Sequence, residues 1–158
     1  MSRLSSRLIY RITEASFRPE IADSVRKVYG IEIGKGYLYR VFISFKSRSF
    51  WIGPFPMVYD TGAAFSLLPF RFFEMLHVER FAPIKLMGVL PEMEIQARLV
   101  RATLKFIDVR GVESPEIEAW MAIAEREDVP LIIGLKSIAE THEFKVNFRE
   151  RTFTLSFY

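Results

Sequence analysis

The tetrapeptide Asp60-Thr61-Gly62-Ala63 constrains this chain most, because it carries a carboxylate onto a tight turn directly after the apolar run Phe55-Pro56-Met57-Val58-Tyr59. Gly62 lets the backbone reverse sharply and lets another segment approach closely. Thr61 offers a hydroxyl that locks a turn by local hydrogen bonding. Asp60 ends an apolar strand, where desolvation or a neighbouring like charge shifts a carboxyl group's proton affinity. An Asp-Xaa-Gly turn is common in ordinary proteins, so the meaning of this one depends on the rest of the sequence.

The chain has 158 residues, which is one domain's worth and enough to bury a core. Half of the residues are hydrophobic, so an intrinsically disordered chain is excluded. Fifteen phenylalanines predict an aromatic-rich core. The lack of cysteine removes disulfides, thiolate catalysis and cysteine-based zinc sites together. The two histidines, His77 and His142, are too far apart in sequence to indicate a histidine-rich metal site, and no metal or cofactor is expected. The N-terminal residues lack the apolar stretch of a secretory signal, and no segment approaches the roughly 18 apolar residues of a membrane span. The default expectation is therefore a soluble, cytoplasmic protein with no membrane partner. The net charge of +3 is mild; Arg3, Arg7, Arg11 and Arg18 thicken the N-terminal end, but a scattered solvated surface is a better reading than a nucleic-acid contact.

Residues 1–36 read as an extension holding a strand from Leu8 to Ile12 and a helix beginning near Pro19, with Ile21, Val25 and Val28 at helical spacing. From residue 37 to 158 the texture turns to short strands: Tyr37 to Phe45, Phe50 to Ile52, Pro56 to Tyr59, Ile84 to Met87, Met93 to Leu99, Ala102 to Val109, Ile117 to Ala124 and Val129 to Gly134. Phe144 to Phe148 and Thr152 to Phe157 close the chain as a hairpin. Gly88-Val89-Leu90-Pro91-Glu92 reads as a hairpin tip, Lys46 to Ser49 as a polar turn, Pro69 to Leu76 as one or two helical turns, and Leu135 to Glu140 as a short helix. The expected class is mainly β with one or two short helices. Phe70, Phe72, Phe73 and Leu76 read as core, while His142 and Glu143 read as surface. Gly30-Ile-Glu-Ile-Gly34-Lys35-Gly36 lacks the glycine spacing of a phosphate loop and has Gly36 where serine or threonine is needed, so it reads as a turn.

Three segments taken together carry a resemblance. Val58-Tyr59-Asp60-Thr61-Gly62-Ala63, then Ser66-Leu67-Leu68-Pro69, then Leu131-Ile132-Ile133-Gly134 resemble the retropepsin family of single-domain aspartic proteases. Gly62 and Gly134 stand 72 positions apart, a separation compatible with that fold, and Ile84 to Val89 falls where the family places its flap. The resemblance covers the chain from about Tyr37 onward. It implies a retropepsin-like closed barrel, with Asp60 as catalytic aspartate and Thr61 reaching across a dimer to its mate. Gly62 and Ala63 would line the substrate groove, Gly134 would support the Asp60 loop from behind, and Met87, Gly88, Val89 and Leu90 would form the flap. No second Asp-Thr-Gly exists, since Asp23, Asp108 and Asp128 are followed by other residues, so a homodimer is required, acting on peptide or protein substrate. The family places terminal strands in its dimer interface, which makes Thr152 to Phe157 the expected contact.

Two departures stand out. The family has an aspartate two positions after the first motif's glycine and an arginine directly after the second; here those positions hold Ala64 and Leu135. The flap tip is usually rich in glycine, whereas Gly88-Val89-Leu90-Pro91 has one glycine and one proline, which predicts a stiffer or differently shaped flap. A non-catalytic dimerisation or peptide-binding module on the same fold is the alternative to an endopeptidase.

Overall fold

The computed structural model describes residues 6–90 and 93–158. In chain order the elements are β1 (Arg7–Ser16), α1 (Pro19–Tyr29), β2 (Lys35–Ser47), β3 (Phe50–Tyr59), β4 (Ser66–Leu68), α2 (Phe72–Leu76), β5 (Pro83–Leu90), β6 (Met93–Ile107), β7 (Ile117–Ala124), β8 (Ile132–Ile133), β9 (His142–Asn147) and β10 (Thr152–Phe157). A 3-10 turn, Ala139–Thr141, precedes β9. The protein is mainly β. Its strands pair in the order β5-β6-β7-β4-β8-β3-β2-β1-β10-β9, and β2 pairs a second time with β6.

Alternation of side chains sets which face of each strand is buried. In β1 this buries Leu8, Tyr10 and Ile12, and in β10 it buries Phe153, Leu155 and Phe157. The main core gathers these with Val41, Ile43 and Phe45 of β2, Met57 and Tyr59 of β3, and Leu104 and Phe106 of β6. A smaller cluster of Leu67, Ile95, Ala97, Ala122, Ala124 and Val129 lies apart, with Leu86 and Val89 of β5 packed on it. The core is aromatic, with Tyr10 stacked on Phe153 at 5.2 Å and Phe72 edge-on to Phe55 at 5.2 Å.

Several expectations change. The two strands expected on either side of Gly53-Pro54 are one, β3. The irregularity is absorbed by a shift in its register with β2 between Ile43 and Phe45. Gly53 has a φ of 112°, and a Cβ there would lie 2.9 Å from the Ile43 carbonyl oxygen, so only glycine fits. Met93 to Leu99 and Ala102 to Val109 are likewise one strand, β6, which stops at Ile107. It stays continuous because β7 pairs with it from Ala97 to Leu104 while β5 takes one end and β2 the other. The buried strand expected to end at Gly134 is only Ile132–Ile133, and the helix expected after it is a turn followed by the 3-10 turn. Of the expected hairpin tip, Pro91 and Glu92 lie outside the described residues, as does Arg3.

The α1 helix forms where expected, with Pro19 in its first turn and Gly30 as its left-handed cap, yet buries none of its residues. Phe72, Phe73 and Leu76 are core, whereas Phe70 is 42% exposed and lies under the Arg80 guanidinium. The expected role of Thr152–Phe157 as an interleaved contact with a partner conflicts with the pairing. β10 lies between β1 and β9, so both its edges are occupied within one chain.

The β1 strand is held at both edges as well, by β10 through its first half and β2 through its second. Asp108, on the turn after β6, anchors it further. The Asp108 carboxylate accepts hydrogen bonds from the Ile9 amide at 3.1 Å, the Arg110 amide at 2.8 Å, the Val112 amide at 3.0 Å and the Arg110 side chain at 2.9 Å. Burial alone would raise its pKa, but these donors prevail and hold it below the usual carboxylate value. Tyr10 donates to the Ile107 carbonyl at 2.8 Å. Removing residues 1–16 is therefore expected to abolish cooperative folding, because it strips three core side chains and uncovers one edge of β10. A thermal melt of the truncated chain checks this, with a sharp transition as the contrary result.

Candidate active site

The β3 strand carries Asp60 to its end, where the chain leaves the sheet through Thr61 to Phe65 and re-enters it as β4. The turn is closed from inside: the Gly62 amide donates to Asp60 Oδ1 at 2.9 Å, and the Ala63 amide donates to the Asp60 carbonyl at 3.1 Å. Asp60 is half-buried, and Thr61 and Gly62 are exposed.

The β8 strand and its continuation lie behind this loop. Val58 and Tyr59 pair in parallel with Ile132 and Ile133, and the Asp60 amide donates to the Ile133 carbonyl at 2.8 Å. Gly134 then crosses the loop so closely that a Cβ on it would lie 2.4 Å from both the carbonyl carbon and the oxygen of Phe65 and 2.8 Å from the Ala63 oxygen. Those are backbone atoms and cannot swing aside. The crossing is fastened by three hydrogen bonds: the Gly134 amide to Ser66 Oγ at 2.9 Å, Leu135 to the Ala63 carbonyl at 3.0 Å, and Lys136 to the Ala64 carbonyl at 2.8 Å. Ser66 belongs to the Ser66-Leu67-Leu68-Pro69 segment but had no assigned role in the sequence. Its only mark in the sequence is a lone hydroxyl between Phe65 and Leu67; the structure buries that hydroxyl fully and gives it a partner. Ala64 and Leu135 both contribute backbone groups to this crossing, Ala64 its carbonyl and Leu135 its amide.

A cavity of about 260 Å³ opens beside the loop, lined by Gly62 to Phe65 and Leu67 on one side and by Leu86, Met87 and Val89 of β5 on the other, with Ile132. Met87 is 73% exposed and Gly88 has a left-handed φ of 83°. Leu90 continues β5. The Arg18 side chain donates to the Val89 carbonyl at 3.4 Å, a long contact that brings the start of α1 beside this strand. A second cavity of about 240 Å³ is lined by Asp60 and Thr61 together with Tyr37, Leu38, Tyr39, Val58 and Tyr59. The expected site residues Asp60, Thr61, Gly62, Ala63, Gly134, Met87 and Val89 thus fall in one region. Tyr37 and Tyr39 are neighbours of Asp60 that the sequence does not single out; they come beside it because β2 and β3 are the arms of one hairpin, closed at Ser47 and Phe50, which brings the start of β2 to the end of β3.

The chain is similar to a retropepsin-like aspartic protease. That solved structure, from Rickettsia conorii, superposes with a TM-score of 0.45 and 13% identity over 98% of this chain and 96% of the other. No family model matches the chain, and no curated protein does. No helix among the described residues is long and apolar enough to cross a membrane.

Immediately behind Asp60, Tyr59 donates to or accepts from His142 Nε2 at 2.9 Å, and both residues are buried. The expectation of a surface His142 is therefore corrected, while Glu143 is exposed as expected. Burial pushes the Tyr59 hydroxyl up to about 12 and lowers the His142 imidazole to about 4.

Two outcomes follow. Gly134→Ala is expected to destabilise the fold by about 3 kcal/mol, the upper range for overpacking against atoms that cannot move, read from denaturant midpoints. His142 gives a pH dependence. Its folded pKa of about 4 lies below the unfolded value of about 6.5, so the unfolded chain takes up the proton first. The penalty is absent above about pH 6.5, grows as pH falls, and is complete below about 4 at roughly 3 kcal/mol. His142→Phe should flatten that segment of the stability curve; an unchanged slope would refute the assignment.

Proposed function

We propose that this chain is a homodimeric aspartic endopeptidase, in which the Asp60 carboxylates of two copies meet on a two-fold axis and hydrolyse peptide bonds. The observation that carries this reading is the backbone-fastened turn that holds Asp60 half-exposed while the residues after it, Gly62 to Phe65, line a cavity roofed by β5. One carboxylate is a single half-site, and the exposed Thr61 and Gly62 next to it leave room for a second copy to supply the other half.

In such a pair two like charges side by side are costly, so one proton is held between the two carboxyls. The unprotonated carboxylate takes a proton from a water molecule as its oxygen attacks the scissile carbonyl carbon. The protonated partner donates to the carbonyl oxygen, giving a neutral tetrahedral diol. Return of a proton to the amide nitrogen breaks the C–N bond and releases an acid and an amine. No metal or cofactor takes part.

Substrate is expected to lie extended between the Asp60 loop and the β5 strand. Met87, Gly88, Val89 and Leu90 act as the flap, and Gly62 and Ala63 line the floor. The apolar lining from Leu67, Leu86, Val89 and Ile132 favours apolar side chains next to the cleaved bond. The second pairing of β2 with β6 supports a closed barrel, since it returns the path β6-β7-β4-β8-β3-β2 to its start. Thr61, Ala64 and Leu135 are the residues assigned to the contact between copies, with an apolar contact standing where the family has an ion pair.

The test is cleavage of a denatured protein or a peptide library across acidic to neutral pH by the wild type and Asp60→Asn. The wild type is expected to cut with a bell-shaped pH dependence, and the variant to lose at least about a thousandfold in rate. Sedimentation should find a dimer for both. A wild type that cuts nothing, or a variant that cuts equally well, overturns the proposal in favour of a binding module.

A further inference from the structure

The buried polar chain behind Asp60 has a defined direction. The Thr141 hydroxyl has one proton and gives it to the Ile138 carbonyl at 2.6 Å. Its oxygen, 2.9 Å from His142 Nδ1, therefore accepts, which fixes the ring as the Nδ1–H tautomer. Nε2 is then a bare lone pair and accepts the Tyr59 hydroxyl at 2.9 Å. Tyr59 donates to His142, His142 to Thr141, and Thr141 to Ile138. Every member is satisfied, and no buried side-chain nitrogen or oxygen among the described residues lacks a partner.

Both ends of this chain lead to the same loop. Tyr59 is bonded covalently to Asp60. Ile138 belongs to the turn in which its own amide donates to the Leu135 carbonyl at 3.0 Å, and Leu135 donates to Ala63 at 3.0 Å. The Asp60 loop is thus gripped at residue 59 and at residue 63 by a ring of contacts that His142 completes. We propose that His142 is a positioning residue for Asp60, acting through Tyr59 on one side and the Thr141-Ile138-Leu135 turn on the other. The proposal rests on the reading of Asp60 as the reacting carboxylate.

The surroundings make this link sensitive to protonation. The elements packed on the ring present Tyr59 from β3, Phe106 from β6 and Phe157 from β10. Tyr59 is the one titratable group among them, and Glu140 and Glu143, the nearest carboxylates along the chain, are exposed. A protonated ring has no charge to pair with, loses the acceptor that Tyr59 uses, and leaves the Tyr59 proton unbonded in an apolar site. Adding a proton to His142 therefore loosens the strand end that carries Asp60. Burial already opposes that proton, holding the imidazole low.

The experiment uses the full-length chain. Steady-state kinetics on a peptide that the wild type cleaves are compared for Tyr59→Phe, His142→Leu and His142→Gln, whose side-chain oxygen restores an acceptor for Tyr59. Each variant's folded fraction is set by its melt. Expected is a roughly ten- to a hundredfold fall in kcat for Tyr59→Phe and His142→Leu with KM within about twofold, and substantial recovery in His142→Gln. In parallel, nitrogen NMR of the wild-type ring should show the Nδ1–H tautomer, and the Asp60 carboxyl carbon resonance should move in Tyr59→Phe. Folded variants with wild-type kcat and an unmoved Asp60 resonance overturn the proposal. A wild type with no cleavage overturns the Asp60 reading instead, and the carbon resonance then decides the positioning by itself.

Discussion

The structure depends on one steric fact: residue 134 has no side chain. The strand ending there must pass within backbone contact of the Ala63–Phe65 segment, and a single methyl group would overlap two atoms of one peptide unit. Because the passage is that close, Gly134 reaches Ser66 Oγ, and the next two amides reach the Ala63 and Ala64 carbonyls. The Asp60 loop therefore has hydrogen-bonded backbone on its inner side although it leaves the sheet. The insertion of β8 between β3 and β4, parallel to one and antiparallel to the other, is the same fact seen at the level of topology.

That constraint was partly legible in the sequence. An apolar strand running into Asp60-Thr61-Gly62 and a second ending in Gly134 both announce themselves by local pattern. So do α1, with Pro19 and Gly30 at its ends, and β7, with its alternation from Ile117. What local pattern does not carry is decided by pairing between strands. Gly53-Pro54 carries the local signature of a break, but β2 pairs with β3 on both sides of it. Nothing around Arg98 to Arg101 signals that β6 continues, because its continuity comes from β7. His142 looked like a surface residue since its neighbours are polar. Its burial depends on Tyr59, Phe106 and Phe157, which no window around residue 142 contains. The outer hairpin shows the opposite case: the strand Thr152 to Phe157 is plain in the local pattern, but its neighbours β1 and β9, which leave it no free edge, are not.

The N-terminal strand bears on the site indirectly. β1 joins the β9-β10 hairpin to β2, and β2 supplies Tyr37 and Tyr39 beside Asp60. Asp108 holds β1 by a carboxylate kept ionised through backbone and guanidinium donors, a strong anchor because its charge is buried and fully engaged. The aromatic packing of Tyr39 on Phe144 and Phe153, at 5.1 Å and 5.4 Å, then couples that hairpin to the strand next to the active loop.

The apolar pair Ala64 and Leu135 gains its meaning from these bonds. An ion pair at those positions would bind loop and crossing strand through side chains, at the desolvation cost that buried charges carry. Here the same two segments are joined through main-chain amides and the Ser66 hydroxyl, and from behind through Tyr59 and His142, all within one chain. Neutral hydrogen bonds of this kind lose little to salt screening, unlike an exposed charge pair. A loop already fixed in the single chain leaves less to order when another molecule docks against it. The apolar pair and the buried histidine are then two sides of one arrangement, in which the geometry of the Asp60 loop is set within a single chain.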